Sequence, residues 1–331
     1  MFVKLNCKIK IGAFTIYAVN DVRIQKSIHS YISKGLIKIP ATARLKEKGI
    51  PCTESCETAK QMNEGDKVNI ELGYDDDLRN EFKGFVSRVN FTTPCELELE
   101  GYSWQLKQKT GLVKSWKSTN LKTVLNYITE GTDIKLSADI PDVAIKPMYI
   151  RNQSAAEVLD WIVSKLFLTA YFVDDTTLYV GLQYTTQLPK EVKYSLGWNT
   201  INDDELKFRR DQDVKVRVKA IYKKKDGKLA SKEFGEKGGL IRTVIFGRVD
   251  NMRLLESMAL KKVKEFRYSG YEGRITGFLQ PFAQPGYKSI TTDDKYQEKG
   301  GDYILESTDV SFNTRGARRV SELGRKVNKQ K

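Results

Sequence analysis

Few side chains in this sequence are suited to acid and base catalysis. The 331 residues include a single histidine, His29, and no carboxylate stands at a spacing that would make it the partner of this imidazole. A protein with no other imidazole must use carboxylates, lysine, tyrosine or a metal for acid and base chemistry near neutral pH. The sequence therefore favours a packing or surface role for His29, and it makes hydrolytic chemistry a weaker hypothesis.

The cysteines and the acidic residues form no recognisable metal motif. The closest cysteine pair, Cys52 and Cys56, has no histidine nearby to complete a zinc set, so free thiols are predicted there and at Cys7 and Cys95. The acidic run 75–77 lacks the alternating ligands of a calcium loop, which indicates a solvated turn. Phosphate-loop, zinc-protease and nucleophile-elbow motifs are also missing. We predict no catalytic residue, no metal and no cofactor.

Positive charge is the feature that points to partners. The chain has 56 Lys and Arg against 42 Asp and Glu, a net charge of +14 that can favour contact with nucleic acid, acidic lipid or an acidic protein. The candidate assembly or lumen surface is made of six basic residues, namely Lys215, Arg217, Lys219, Arg315, Arg318 and Arg319. A solvated strand face and a basic tail would also explain them. No zinc finger, helix-turn-helix or RNP segment accompanies them, so sequence-specific nucleic-acid binding is not indicated.

The composition is that of a folded protein. Apolar residues make up 40% of the chain, charged residues 30% and aromatic residues 10%, which argues against a disordered or disulfide-dense chain. No stretch approaches the roughly 18 uninterrupted apolar residues of a membrane helix, and residues 1–14 alternate where a signal peptide needs an apolar run. We therefore expect synthesis and folding in the cytoplasm.

The hydrophobic period changes twice along the chain. Apolar residues alternate with polar ones over 67–74 and 95–102, which predicts strands with one wet face. Helical spacing replaces this pattern over 121–128 and over 155–166, where Ser154 and Glu157 have the spacing of a capping box. Strand character then returns.

The last third of the sequence combines strands with a third helix. Val214, Val216 and Val218 alternate with three basic residues, which predicts a strand with its valines inward. The apolar residues of the predicted helix, about 251–268, form one buried stripe, namely Leu255, Met258, Ala259, Val263 and Phe266.

These patterns predict a β-rich α+β fold with two small β-barrel-like domains and an intervening α/β unit. The predicted boundaries are 1–110 for the N-terminal β-barrel-like domain and 111–200 for the α/β middle domain. Residues 201–331 then form a second β-barrel-like domain with one helix and a basic C-terminal tail.

The order of the segments resembles a known family. GDKVNIELGY at 65–74, followed by FKGFVSRVNF at 82–91, resembles the first barrel of baseplate hub proteins of contractile-tailed phages and related injection systems, the late control D class. Further similar segments follow in the family's order, at 152–182, 214–221, 270–286 and 301–324. Each segment alone is of low specificity, and together they span most of the chain.

The resemblance implies a structural hub. In this family three subunits form a ring, each contributing two similar barrels, and the ring joins a sixfold tail tube to a threefold spike. The implied partners are two further copies, a tail tube protein and a spike protein, with transient contact with DNA in a lumen and no stable membrane insertion. The implied location is the tail baseplate of a virion, assembled in the cytoplasm of the bacterial host. No appended spike or lysozyme-like domain is evident, so piercing or wall-cleaving activity is not implied.

Two other hypotheses stay open from the residues alone. A basic nucleic-acid- or envelope-binding module would bind DNA or anionic lipid with a steep dependence on salt. A carboxylate-dependent hydrolase would need two carboxylates converging in one cleft. The hub instead predicts a stable oligomer that needs no ligand.

Overall fold

The computed structural model describes residues 4–43, 46–47, 50–51, 56–145, 147–166, 168–181, 190–202, 205–224, 228–248, 252–267, 269–297 and 300–327. Strands hold 54% of the residues and helices 17%, so the predicted β-rich α+β class is confirmed. None of the described helices is long and apolar enough to cross a bilayer.

Strands predominate at both ends of the chain, and three of the four described α-helices lie in its middle part. The N-terminal strands are β1 (Leu5–Ile11), β2 (Phe14–Ile16), β3 (Asp21–Ser27), β4 (Ser30–Ile39), β5 (Thr42–Ala43), β6 (Lys46–Glu47), β7 (Ile50–Pro51), β8 (Cys56–Glu57), β9 (Lys67–Tyr74), β10 (Asp77–Asn90) and β11 (Cys95–Glu100). The middle elements are α1 (Ser103–Gln108), β12 (Leu112–Trp116), β13 (Thr119–Asn120), α2 (Leu121–Thr129), β14 (Lys135–Leu136), β15 (Ala144–Ile145), β16 (Met148–Gln153), α3 (Ala155–Leu166), β17 (Thr169–Phe172) and β18 (Thr177–Gly181). The C-terminal elements are β19 (Glu191–Leu196), β20 (Thr200–Asn202), β21 (Lys207–Arg209), β22 (Val216–Lys223), β23 (Leu229–Gly235), β24 (Leu240–Arg248), α4 (Met252–Phe266), β25 (Gly270–Gly277), β26 (Lys288–Asp293), β27 (Gly301–Asn313) and β28 (Gly316–Lys326).

The N-terminal part of the main sheet is antiparallel. Its strands lie in the order β3-β4-β11-β10-β9-β1, and alternate residues point into one apolar core. Ile9 of β1 faces Ile70 of β9, and both side chains are fully buried. Leu97 and Leu99 of β11 are buried in the same core, so the predicted one-sided alternation is confirmed there.

The C-terminal part of the sheet surrounds a second core. Here β19, β26, β27, β28 and β25 are neighbours in that order, and β20 and β21 pair with β25. Tyrosines and leucines fill the space between them, including Tyr194, Tyr303 and Leu305. Strand β27 also pairs with β3, from Ser307 opposite Ser27 to Asn313 opposite Asp21, which joins both parts into one 16-stranded sheet. The described strands of this sheet do not form a closed barrel.

Helices α1, α2 and α3 pack with short strands around the largest apolar core. Helix α3 begins with the predicted capping box, in which Ser154 donates its backbone N–H to the Glu157 carboxylate at 2.6 Å and Glu157 donates its own to Ser154 Oγ at 3.2 Å. A buried ion pair between Lys26 of β3 and Asp175 of the β17–β18 turn ties this region to the main sheet at 2.6 Å. The boundaries predicted at residues 110 and 200 stay predictions.

A 60-residue segment lies between two strands that are paired with each other. Arg209 of β21 faces Gly270 of β25 in the antiparallel register, so the chain leaves and returns at one place. We call residues 210–269 the inserted unit. It contains a three-stranded sheet in the order β23-β22-β24, with helix α4 packed on β22 and β23 around a separate apolar core.

The inserted unit confirms one predicted pattern and corrects another. Val216 and Val218 are buried and Val214 is partly buried, as predicted. Met258 was expected in the buried stripe of the helix, but its side chain is 38% exposed. Helix α4 buries Leu255, Ala259 and Val263, which follow one another at four-residue spacing, and Met258 lies about 100° away from Ala259 around the helix.

Candidate assembly surface

His29 has a carboxylate partner that its sequence neighbourhood does not reveal. The turn between β3 and β4 places its Nε2 atom 2.9 Å from Oε2 of Glu306, which lies on β27. This hydrogen bond raises the pKa of His29 above its ordinary value near 6.5, while burial and Arg242 oppose the rise and Glu322 adds to it. Because 277 residues separate the pair, no spacing rule could have found it.

The serine beside this pair is held by backbone groups. Ser27 Oγ donates to the Glu306 carbonyl at 3.2 Å and accepts the backbone N–H of His29 at 3.1 Å. A nucleophilic serine needs its hydroxyl directed at the imidazole that removes its proton. Ser27, His29 and Glu306 therefore form a structural contact between the β3–β4 turn and β27, since the Ser27 hydroxyl is directed at a backbone carbonyl and not at the imidazole.

We expect the His29 interaction to stabilise the fold more at low pH than at high pH. A raised pKa in the folded state adds stability that is fully present below the unfolded pKa, about 6.5, and is lost as the pH rises through the folded value. The half-exposed imidazole limits this gain to less than about 1 kcal/mol. Wild type should therefore exceed His29→Gln in urea resistance at pH 5.5, and the two should converge at pH 8.5.

The single imidazole makes the titration simple to follow by NMR. Its ring proton signal should give a midpoint above 6.5, and Glu306→Gln should lower that midpoint. A midpoint at or below 6.5 in the wild-type protein would contradict the assignment. We also expect His29→Ala to assemble as wild type does, because the described carboxylate partner of His29 lies within the same chain and we assign the imidazole no catalytic role.

The remaining candidates for reactive or metal-binding groups hold structural contacts. Cys7 and Cys95 are buried free thiols, and burial raises the pKa of Cys7 to about 11. Cys52 lies outside the described residues, as does the side chain of Cys56. Asp77 accepts a hydrogen bond from Gln280 at 2.6 Å, which ties its turn to the segment after β25. Among the described residues, no three His, Cys, Asp or Glu side chains are grouped to hold a metal ion.

The predicted basic surface is divided between two elements. Lys215, Arg217 and Lys219 lie at or near β22 in the inserted unit, where Lys215 is exposed and Arg217 pairs with Glu233 at 3.0 Å. Arg315 is exposed in the β27–β28 turn.

Arg318, on the same hairpin, is partly buried. It donates to the Ala317 carbonyl at 2.8 Å and stacks on Phe278, with its guanidinium 5.5 Å from the ring centre. Its role as an assembly residue stays a prediction, as do those of the four other residues outside the core.

Arg319 does not lie on the predicted surface of the chain. Its side chain is 2% exposed, and its guanidinium binds the equally buried Glu81 carboxylate through two hydrogen bonds of 2.6 and 3.2 Å. It also donates to the carbonyls of Leu279 and Ala283, at 3.0 and 2.7 Å. The pair therefore connects β10 to β28 and to the segment that follows β25.

The alternation of β28 explains this burial. Ala317, Ser321 and Leu323 share the inward face of the strand with Arg319. On β10, a register shift between Asn80 and Phe82 accompanies the burial of both Glu81 and Phe82. The alternation within β28 could have predicted that Arg319 faces inward. Its partner Glu81, 238 residues away, could not have been predicted from sequence spacing.

Three exposed apolar residues lie near the place where β20 joins β25. Thr200 faces Gly277 in the register, and Trp198, Ile201 and Phe278 are each within two residues of this pair along the chain. We call Trp198, Ile201 and Phe278 the aromatic rim. Trp198 is 81% exposed, the highest value among the large apolar residues described. Neighbouring exposed apolar residues make this rim a candidate contact surface, which no sequence pattern had indicated.

Comparison with known proteins identifies the fold. No protein-family model matches the chain, and no curated protein matches it in sequence. The 43 kDa tail protein of prophage MuSo2 from Shewanella oneidensis is similar in structure, with a TM-score of 0.61 at 13% identity over 97% of this chain and 98% of that one. A tail protein from Neisseria meningitidis MC58 gives 0.60 at 14% identity, covering 98% and 97%.

A protein of a secretion system has a similar fold. The E. coli c3393 protein, a component of the type VI secretion system with structural similarity to T4 bacteriophage tail proteins gp27 and gp5, gives a TM-score of 0.55 at 8% identity. The alignment covers 98% of this chain and 77% of that one. The chain thus has the fold of phage tail and injection-system proteins of the baseplate type, as the resemblance implied.

Proposed function

We propose that the chain is a structural hub of a phage or phage-like tail baseplate, forming a ring that joins the tail tube to the central spike. The observation that carries this proposal is the match to two tail proteins along nearly the whole length of all three chains. A match of this extent leaves little of the described fold outside the shared architecture.

The two parts of the main sheet support a ring. Each part is a set of strands around its own apolar core, and the β3–β27 pairing joins the two parts within one subunit. Three copies would bring six such parts around one axis. A ring of this kind matches a sixfold tube on one side and a threefold spike on the other, and closed symmetry suits an assembly of defined size.

The proposed role is non-enzymatic. Three carboxylates with basic partners hold elements of the fold together: Glu81 binds Arg319, Asp175 binds Lys26 and Glu306 binds His29. The proposed partners are a tube protein and a spike protein, and the proposed location is the virion tail, assembled in the host cytoplasm. DNA passing through the lumen would be a transient contact.

We expect the purified chain to form a trimer of about 113 kDa, three times the chain mass of 37.8 kDa. Light scattering after size exclusion measures that mass, and averaged electron micrographs should show a threefold ring with a central opening. A monomer at tens of micromolar protein would contradict the hub as a self-assembling ring.

The aromatic rim provides a variant for the same measurement. We expect Trp198→Ser to shift the trimer towards monomer, because loss of a large aromatic anchor commonly costs an interface more than 1 kcal/mol. Phe91→Ser is the matched control, since Phe91 is also strongly exposed but lies in the β10–β11 turn. Equal trimer fractions for both variants would locate the subunit contact outside the rim.

A further inference from the structure

The inserted unit carries most of the excess positive charge. Residues 210–269 contain 17 Lys and Arg against 8 Asp and Glu, a net charge of +9 out of the +14 of the whole chain. Less than a fifth of the sequence thus holds nearly two thirds of the charge. Two ion pairs lie within it, Arg217 with Glu233 at 3.0 Å and Arg267 with Glu236 at 2.8 Å.

The same unit exposes an unusual number of aliphatic side chains. Fifteen large apolar residues are exposed among those described, and six of them belong to the inserted unit, namely Leu240, Ile241, Met252, Leu254, Met258 and Leu260. All six are leucine, isoleucine or methionine. Flexible aliphatic side chains, methionine above all, adapt to the side chains of a partner protein.

Strand β24 offers a backbone edge beside these residues. Among the described strands it pairs only with β22, so its opposite side is the edge of the three-stranded sheet. Leu240 donates its backbone N–H to the Lys215 carbonyl at 2.9 Å. Because alternate residues of a paired strand direct their backbone groups to opposite sides, those of Ile241, Thr243 and Ile245 point away from β22.

The two edges of this small sheet differ in their side chains. The other edge strand, β23, has Lys232 and Glu233 at its centre, and such charges discourage edge pairing. The first residues of β24, Leu240 and Ile241, are 52% and 50% exposed. An aliphatic edge left open in a soluble protein is a template for a further strand.

Helix α4 leaves room beside this edge. It packs on β22 and β23, and a cleft of about 90 Å³ lies next to the start of β24. Leu240 and Phe266 contribute apolar surface to the cleft. Its charged lining consists of three arginines and two glutamates, namely Arg209, Arg242, Arg325, Glu272 and Glu306, so one positive charge is in excess. A strand added to β24 would direct alternate side chains towards this cleft.

We propose that β24 binds an extended acidic segment of a partner protein, which adds to the sheet as a fourth strand. Backbone hydrogen bonds to Ile241, Thr243 and Ile245 would hold the segment. Acidic side chains on the cleft side would meet Arg242, and aliphatic ones on the opposite face would pack on Ile241. This binding mode, addition of a strand to a sheet edge, derives affinity from the backbone and specificity from alternate side chains.

The side chains favour a protein over the other anionic partners. Single-stranded nucleic acid is held by aromatic stacking, and the exposed apolar residues described in this unit are all aliphatic. Helices that lie on membranes usually bring Trp or Phe to the bilayer, and none is among these exposed residues. The open edge is a further reason, because only another polypeptide can use its backbone donors and acceptors in register.

The test uses the full chain and a nine-residue peptide that alternates glutamate and valine, with titration calorimetry at two salt concentrations. Thr243→Pro removes an outward N–H while leaving the bonds to β22, so we expect at least tenfold weaker binding. Thr243→Ala is the matched control and should bind within twofold of wild type. Arg242→Glu should also weaken binding about tenfold, and a peptide alternating lysine and valine should not bind.

Hydrogen exchange keeps the proposal falsifiable if Thr243→Pro fails to fold. In the wild-type protein, the glutamate peptide should slow exchange of the amides of Ile241, Thr243 and Ile245 at least tenfold. No binding to wild type, equal binding by Thr243→Pro and Thr243→Ala, or peptide binding without protection of these amides would overturn the proposal. Tighter binding of DNA or of anionic vesicles, unaffected by Thr243→Pro, would overturn it in favour of those partners.

Discussion

Replacing Arg319 with methionine is expected to lower the free energy of unfolding by about 3 to 5 kcal/mol, because the change leaves the Glu81 carboxylate buried without its counter-charge. The guanidinium also binds the carbonyls of Leu279 and Ala283, which would lose a donor. Urea unfolding followed by fluorescence measures the loss. Expression of soluble, folded protein should fall with it.

A second substitution separates the charge from the packing. In the double variant Glu81→Leu with Arg319→Met, no buried charge is left alone, so most of the lost stability should return. Recovery should be incomplete, since the two carbonyls still lack their donor. Equal destabilisation of the single and double variants would contradict our account of the pair.

Gly84→Ala is expected to destabilise the protein by about 3 kcal/mol or more. A Cβ atom at this position of β10 would overlap the Glu100 carbonyl oxygen of β11, so the two paired strands would have to separate locally. The nearest atoms belong to the backbone of Glu100 and Gly101, so they cannot rotate away as a side chain could. Thermal and urea unfolding should both register the change.

Gly277→Ala is the matched control for this prediction. Gly277 is also a strand residue, but its added Cβ would lie 3.5 Å from the Asn199 carbonyl oxygen, an ordinary contact. Its stability should stay level or rise by up to about 1 kcal/mol through lower entropy of the unfolded chain. Similar losses at both glycines would mean that general strand propensity, rather than close approach at Gly84, sets the cost.

Local patterns predicted the elements better than their partners. The alternation around Val216 and Val218, and the capping box of Ser154, depend on neighbouring residues and are confirmed by burial and hydrogen bonds. The contacts of His29 with Glu306 and of Arg319 with Glu81 join residues more than 200 positions apart. A single sequence contains no signal that relates such distant residues, so the sequence placed Arg319 on a surface by its charge alone.

Helical phase and the exposed surfaces were the other limits of prediction. Met258 lies beside the buried stripe of α4. At the edge of such a stripe, the hydrophobic pattern does not decide whether a methionine is buried or exposed. The aromatic rim arises because β20 pairs with β25, which brings Trp198 near a residue 80 positions further along the chain. No sequence pattern gave a prediction for Trp198, and the residues near it depend on the sheet order.

The pairing of β3 with β27 imposes a delay on folding during synthesis. Residues 21–27 are synthesised about 280 residues before their partners at 307–313. At about 5 to 20 residues per second, roughly 15 to 60 s pass before β3 can pair with β27. Throughout that interval the nascent chain presents an unpaired strand edge, so a chaperone or rapid burial of that edge decides whether polysomes yield folded protein or aggregate.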